Sequence, residues 1–109
     1  MNLLFICSRN KWRSLTAETI FQGKHGFRVQ SAGTSPSARI KVTEKMVNHA
    51  DMIFMMEKRH KQILLQKFPF MNPDTALIVL DIPDEYQYMD AELITMLETS
   101  VMAHFESEI

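Results

Sequence analysis

FICSRNKWRS, Phe5 to Ser14, ends an apolar run at the only cysteine of the chain, and the six positions after it hold three basic side chains. Together with the residues before it, NLLFIC (2–7) is a short apolar run of the kind found in strands buried on both faces. SLTAETIFQGK, from Ser14 to about Lys24, then carries Leu15, Ala17, Ile20 and Phe21 at helical spacing. A buried strand, a short polar loop and a helix thus occupy the first part of the chain, and the rest repeats the unit.

Gly26 breaks the helical pattern, FRVQSA (27–32) resumes strand alternation, and GTSPS (33–37) reads as a turn or loop. RIKVTEKMVNHA (39–50) is expected to be a helix with Ile40, Val42, Thr43, Met46 and Val47 along one stripe. DMIFMM is the next strand and leads into a helix, EKRHKQILLQKF, with Ile63, Leu64 and Phe68 facing inward and its basic residues facing water. Pro69 ends that helix. ALIVL (76–80) is a fourth buried strand, DIPDEYQYMD a polar loop, and AELITMLETSVMAHF (about 91–105) a closing helix. The order β-α-β-α-β-α-β-α predicts an α/β fold: a four-stranded parallel sheet with right-handed crossovers and helices on both faces. Ligands of such sheets bind at the carboxyl ends of the strands, where strand order reverses. Cys7, Ser31 to Thr34, Met55 to Glu57 and Asp81 to Asp84 all fall at strand ends on this reading.

Composition narrows the functional classes. A chain of 109 residues is expected to form one domain, 1–109, with a single core. Its formal net charge of −1 offers no global field for nucleic acid or an anionic membrane, and neither is expected as a partner. MNLLFICSRN is too short an apolar run to span a bilayer and has no basic lead-in, so a cytoplasmic protein is expected. One cysteine cannot form an internal disulfide, which suits a reducing compartment and excludes a two-thiol mechanism within the chain. The nine methionines read as adaptable core filling. His25, His49, His60 and His104 have no metal-ligand spacing and read as surface or helix-end residues, so no metal or other cofactor is expected.

The loop from Cys7 to Ser14 has a specific chemistry. Its backbone N–H groups and the positive end of the following helix can converge on one point, an arrangement that suits an oxyanion such as phosphate. Arg13 offers a planar, two-pronged guanidinium to two phosphate oxygens. The same positive surroundings favour a thiolate at Cys7, and a thiolate beneath a phosphoryl group is a nucleophile aimed at phosphorus.

Cys7-Ser8-Arg9-Asn10-Lys11-Trp12-Arg13-Ser14 resembles the Cys-x5-Arg-Ser loop of low-molecular-weight protein tyrosine phosphatases, including the central Asn and the Ala17-Glu18 pair that follows. Ser31-Ala32-Gly33-Thr34 resembles the SAGT turn of that family, and HADMIFMMEKRH (49–60) its third strand and following helix. Asp81-Ile82-Pro83-Asp84 stands where the family carries its general acid. The resemblance implies a phosphomonoester hydrolase, a protein tyrosine phosphatase, that needs no metal and acts through a phosphocysteine intermediate. Its substrate would be a phosphorylated protein or a small aryl phosphate, and its product inorganic phosphate. On this resemblance Cys7 is the nucleophile, residues 8–14 with Arg13 hold the phosphate, and Asp81 or Asp84 is the acid. Asp81 is preferred because it directly ends the fourth strand. Asn10 is expected to take a left-handed backbone and to bond Ser31 through its amide, and Ser14 to start the helix, donate to the Cys7 sulfur, or both.

The chain departs from the pattern at Arg9, where the family has glycine, at Trp12, where it has a second cysteine, and at Lys11, where it has an apolar residue. Its segment between SAGT and HADMI is also shorter. Arg9 and Lys11 would favour acidic groups flanking the phosphate. Trp12 either packs under the loop or stacks on a substrate ring. Tyr86 and Tyr88 either line the ring slot or lie on the surface. Two other classes fit part of the pattern: a non-catalytic phosphate- or oxyanion-binding module, and a cysteine phosphocarrier of the sugar phosphotransferase B-subunit type, against which Arg13 argues. Arsenate reductases of this fold need further cysteines, which the chain lacks.

Overall fold

The alternating apolar side chains of the first strand divide between two cores. In the computed structural model, which describes residues 1–106, β1 (Asn2–Cys7) turns Leu3, Phe5 and Cys7 to one side and Leu4 and Ile6 to the other. Both sides are covered, which is why the run reads as continuously apolar. The chain continues as α1 (Arg13–Phe21), a short turn of 3-10 helix, β2 (Arg28–Gly33), α2 (Glu44–His49), β3 (Met52–Met55), α3 (Lys58–Lys67), β4 (Ala76–Val79) and α4 (Ala91–Glu106). The strands lie in the order β2-β1-β3-β4, all parallel. The chain runs outward from β1 to β2 and then returns across β1 to β3, so strand order reverses beside the carboxyl end of β1, where Cys7 pairs with Gly33.

Leu93, Leu97 and Val101 of α4 and Ala17 and Phe21 of α1 cover the first face. Phe5 stacks there between Phe21 and Phe54, with ring centroids 5.7 and 5.1 Å away. Val47 of α2 and Leu64 of α3 cover the second face together with Val42 and Ala50. Met55 and Met56 are fully buried, and Met46, Met52, Met71, Met96 and Met102 pack against the two cores. Among the described residues no helix is long and apolar enough to cross a membrane.

Three expectations are corrected. The helix expected over 39–50 begins only at Glu44: residues 40–42 instead run alongside Gly33, whose N–H donates to the Ile40 carbonyl (2.8 Å) and whose carbonyl accepts from Val42 N–H (3.0 Å). Thr43 caps the shortened helix by accepting from Met46 N–H. Ile63 points outward, because α3 rests on the sheet along the Leu64 line. His60, expected at the surface or at a helix end, does lie in the first turn of α3 but is completely buried.

Candidate active site

Four successive carbonyls, from the last residue of β1 into the loop after it, are hydrogen-bonded by the segment that follows β2. Cys7, Ser8 and Arg9 carbonyls accept from the backbone N–H groups of Thr34, Ser35 and Arg39, and the Asn10 carbonyl accepts from Arg39 Nε. The N–H groups of Ser8, Arg9, Lys11 and Trp12 take no backbone partner among the described residues. The α1 N-terminus beside them has no side-chain cap. Unpaired amides at a helix start form a ready site for an oxyanion. Gly33 makes the close approach possible: a Cβ there would lie 2.4 Å from the Ser8 carbonyl oxygen and 2.7 Å from Ala38 Cβ.

Asn10 turns the loop with φ 57°, in the left-handed region that Asn tolerates better than most residues. Fully buried, it donates through Nδ2 to Ser14 Oγ and Ser31 Oγ, both at 2.8 Å. Its Oδ1 is a buried acceptor without a partner, so both hydrogens of the amide are used at the cost of an unpaired oxygen. The direction of this network follows from its far end. Ser31 Oγ lies 2.6 Å from Glu18 Oε1 and donates to that carboxylate, which can only accept when ionised. Ser14 Oγ accepts from Asn10, and its own hydrogen has two acceptors in reach, Cys7 Sγ at 2.9 Å and the Ala32 carbonyl at 3.5 Å. The sulfur accepts from Asn10 N–H at 3.2 Å.

Arg13 is the largest fully buried side chain of the structure. Its Nη1 donates to Glu57 Oε2 at 2.6 Å and to the Ile82 carbonyl at 2.8 Å, while Nε lies 3.6 Å from Asp84 Oδ1. Nη2 takes no partner among the described residues. Glu57 also receives Arg59 at 3.0 Å. Burial alone would raise the Glu57 carboxyl, but the hydrogen bonds from Arg13 and Arg59 and their positive charges together hold it below its ordinary value.

These groups open onto a cleft of about 310 Å³. Cys7, Ser8, Arg9, Lys11, Trp12 and Arg13 line it, as does Asp84 from the loop after β4 and Arg59 from α3. The two candidate acids are separated by the backbone. Leu80 N–H and Ile82 N–H bond the Met55 and Met56 carbonyls, and Asp81 between them has φ 55°. That kink leaves Asp81 in a neighbouring depression with Lys58 and Pro83, while Asp84 reaches the cleft. The preference for Asp81 drawn from its place at the strand end thus runs against the geometry. Trp12 is exposed on the cleft rim rather than packed under the loop. Neither tyrosine is among the residues lining the cleft: Tyr88 Oη lies 3.0 Å from Thr19 Oγ1, and Tyr86 packs, partly buried, against the first core.

Sequence reasoning passed over Glu18, Glu57, Arg59 and His60. Glu18 was visible only as half of the Ala17-Glu18 pair, and Glu57 only as a strand end. Glu57 and His60 form a capping box at the start of α3, with each side chain accepting from the other's backbone N–H. The spacing of three in Glu57-Lys-Arg-His60 is a readable signal for it.

No protein-family model matches the chain, and no curated protein sequence matches it. Solved structures do. A low-molecular-weight protein tyrosine phosphatase from Streptococcus pyogenes, SP-PTP, superposes with a TM-score of 0.76 at 15% identity, over 99% of this chain and 93% of its own. Vibrio vulnificus Wzb in complex with benzylphosphonate does so at 0.76 and 20%, over 97% of each chain. The fold is that of the low-molecular-weight protein tyrosine phosphatases. A third neighbour with this phosphatase fold is the YwlE arginine phosphatase, as a cysteine-to-serine variant with its active-site serine phosphorylated (TM-score 0.68, 21% identity, 89% of this chain and 91% of that one).

Proposed function

We propose that the chain is a phosphomonoester hydrolase of the cysteine-dependent protein tyrosine phosphatase type, carried by one domain over residues 1–109. The observation that carries this reading is a buried sulfur that accepts from Asn10 N–H and lies 2.9 Å from Ser14 Oγ, on the same cleft as the Arg13 guanidinium and the Asp84 carboxyl. In the first step Cys7 Sγ attacks phosphorus in line with the ester oxygen. Arg13 and the loop amides hold the three equatorial oxygens, and protonated Asp84 gives its proton to the leaving oxygen. In the second step Asp84, now a carboxylate, takes a proton from the water that attacks phospho-Cys7. Inorganic phosphate leaves, and the thiolate and the protonated acid are restored. Ser14 assists the departure of sulfur by donating to it, and Glu18, Ser31 and Asn10 hold Ser14 in that orientation. Asp84 is preferred to Asp81 as the acid because it lines the cleft.

The substrate is an aryl phosphate, with phosphotyrosine on a protein as the specific reading. The benzylphosphonate bound by Wzb, an aromatic ring bearing a phosphorus acid, supports it. Arg9 and Lys11 on the rim favour acidic residues flanking the phosphotyrosine and disfavour the cationic leaving group of phosphoarginine. Nucleic acid and membrane are not expected partners of a chain with net charge −1. The need to keep one catalytic thiol reduced supports a cytoplasmic location. Cys7→Ser is expected to abolish turnover of p-nitrophenyl phosphate while phosphate or vanadate still binds, and the parent protein to show a transient phosphocysteine by intact mass. Full activity in Cys7→Ser would overturn the mechanism. Phosphate binding without turnover in the parent would identify a binding module, and transfer from phospho-Cys7 to a sugar a phosphocarrier.

A further inference from the structure

His60 and Ser8 come from distant parts of the chain, yet His60 Nε2 lies 3.0 Å from Ser8 Oγ. The scheme above uses neither side chain. His60 is the third residue of α3 and has no exposed surface. Its Nδ1 accepts the Glu57 backbone N–H at 3.1 Å. A backbone N–H can only donate, so Nδ1 holds a lone pair and the proton of the neutral ring is on Nε2. Nε2–H therefore donates to Ser8 Oγ. Burial, reinforced by the charges of Arg13 and Arg59 and opposed by those of Glu57 and Asp84, pushes the ring down to about 4 and keeps it neutral. Ser8 Oγ accepts from His60, so the hydrogen of its own hydroxyl remains to be given away, and that hydrogen has no acceptor among the described residues. Ser8 adjoins Cys7 and lines the cleft.

We propose that the Ser8 hydroxyl is a further donor to the phosphoryl group held over Cys7, and that His60 is the positioning residue that turns its hydrogen toward that group. The identity of the anion rests on the hydrolase reading, but the donor does not require turnover. Phosphate itself accepts from Ser8, whose hydroxyl keeps its proton throughout. The arrangement gives the cleft a side-chain donor in addition to the loop amides and Arg13, on the wall formed with α3.

The test is the affinity of the intact protein for inorganic phosphate, by titration calorimetry, together with kcat/KM for p-nitrophenyl phosphate. Ser8→Ala is expected to weaken phosphate binding and to lower kcat/KM by about tenfold or more, the effect of losing a hydrogen bond to a charged group. Ser8→Thr, which keeps the hydroxyl, is expected to stay within about threefold of the parent, and Tm to stay near the parent value in both, since Ser8 is only half-buried. His60→Gln and His60→Leu are each made in the parent and in Ser8→Ala. If His60 acts through Ser8, His60→Leu weakens phosphate binding only while Ser8 is present, and His60→Gln, which keeps an N–H, does so less. An equal loss in both backgrounds would reduce His60 to a structural residue and overturn the positioning role. Phosphate affinity within twofold of the parent in Ser8→Ala would overturn the donor, whether or not the His60 variants fold. A parent that binds phosphate without hydrolysing esters sinks the hydrolase reading alone, and Ser8→Ala still decides the donor. A parent that binds no phosphate sinks both.

Discussion

Lowering the pH from 7.5 to 4.5 should destabilise this fold through His60 specifically. The ring is neutral in the folded chain down to about 4 because it is buried and faces Arg13 and Arg59, whereas in the unfolded chain it titrates near 6.5. Between those values the unfolded state binds a proton that the folded state refuses. The His60 contribution is therefore complete above 6.5 and falls away as the pH drops toward 4, a total of about 3 kcal/mol. For a chain of about this length that is a Tm change of roughly 12 °C, at about 4 °C per kcal/mol. Protonation would also put a second hydrogen on Nδ1, against the Glu57 N–H. The assay is thermal unfolding by circular dichroism at pH 7.5, 6.5, 5.5 and 4.5 for the parent and for His60→Gln. The other ionisable groups are common to both proteins and cancel in the difference. Glu57, held below its ordinary 4.5, begins to lose its own contribution only at the acid end of this window, and it does so in both proteins. The advantage of the parent over His60→Gln should shrink steadily from pH 6.5 to 4.5. Parallel Tm curves, with a change in the difference below about 3 °C, would refute the reasoning.

Asp84→Asn should slow phenyl phosphate by about 10²–10⁴-fold and a strongly activated aryl ester far less, because only a poor leaving group needs its proton in the transition state. Asp81→Asn should leave that ratio unchanged, and the reverse pattern in steady-state rates would move the acid role to Asp81. Gly33→Ala, which sets a Cβ 2.4 Å from the Ser8 carbonyl, should displace the phosphate loop and cost about 1–3 kcal/mol in chemical denaturation, with a parallel loss of phosphate affinity. Unchanged stability and affinity in that variant would mean that the loop has slack.

The order of elements, the parallel sheet and the loop at its centre were legible because they rest on local pattern. A five-residue apolar run, Leu3 to Cys7, can be buried on both faces in the middle of a layered sheet, and Cys7, Asn10, Arg13, Ser14 and Ser31 lie at spacings that one strand-loop-helix unit and its neighbour turn bring together. The helix boundary after Gly33 was not legible, because residues 40–42 satisfy their backbone groups on Gly33, a partner that no local period reveals. The choice between Asp81 and Asp84 was closed to the sequence for a similar reason. Two carboxylates three residues apart are equivalent as a pattern, and the left-handed kink at Asp81, set by flanking bonds to Met55 and Met56, decides which reaches the cleft. His60 reads as one more polar residue on a basic helix. Only the packing of α3 against the phosphate loop removes it from water, and burial beside two guanidiniums then keeps it neutral and fixes the nitrogen that carries its proton. The sequence determined which chemical groups the chain carries and the layer in which each lies. The tertiary structure decided their direction and protonation, because both depend on partners from distant strands and on the exclusion of water.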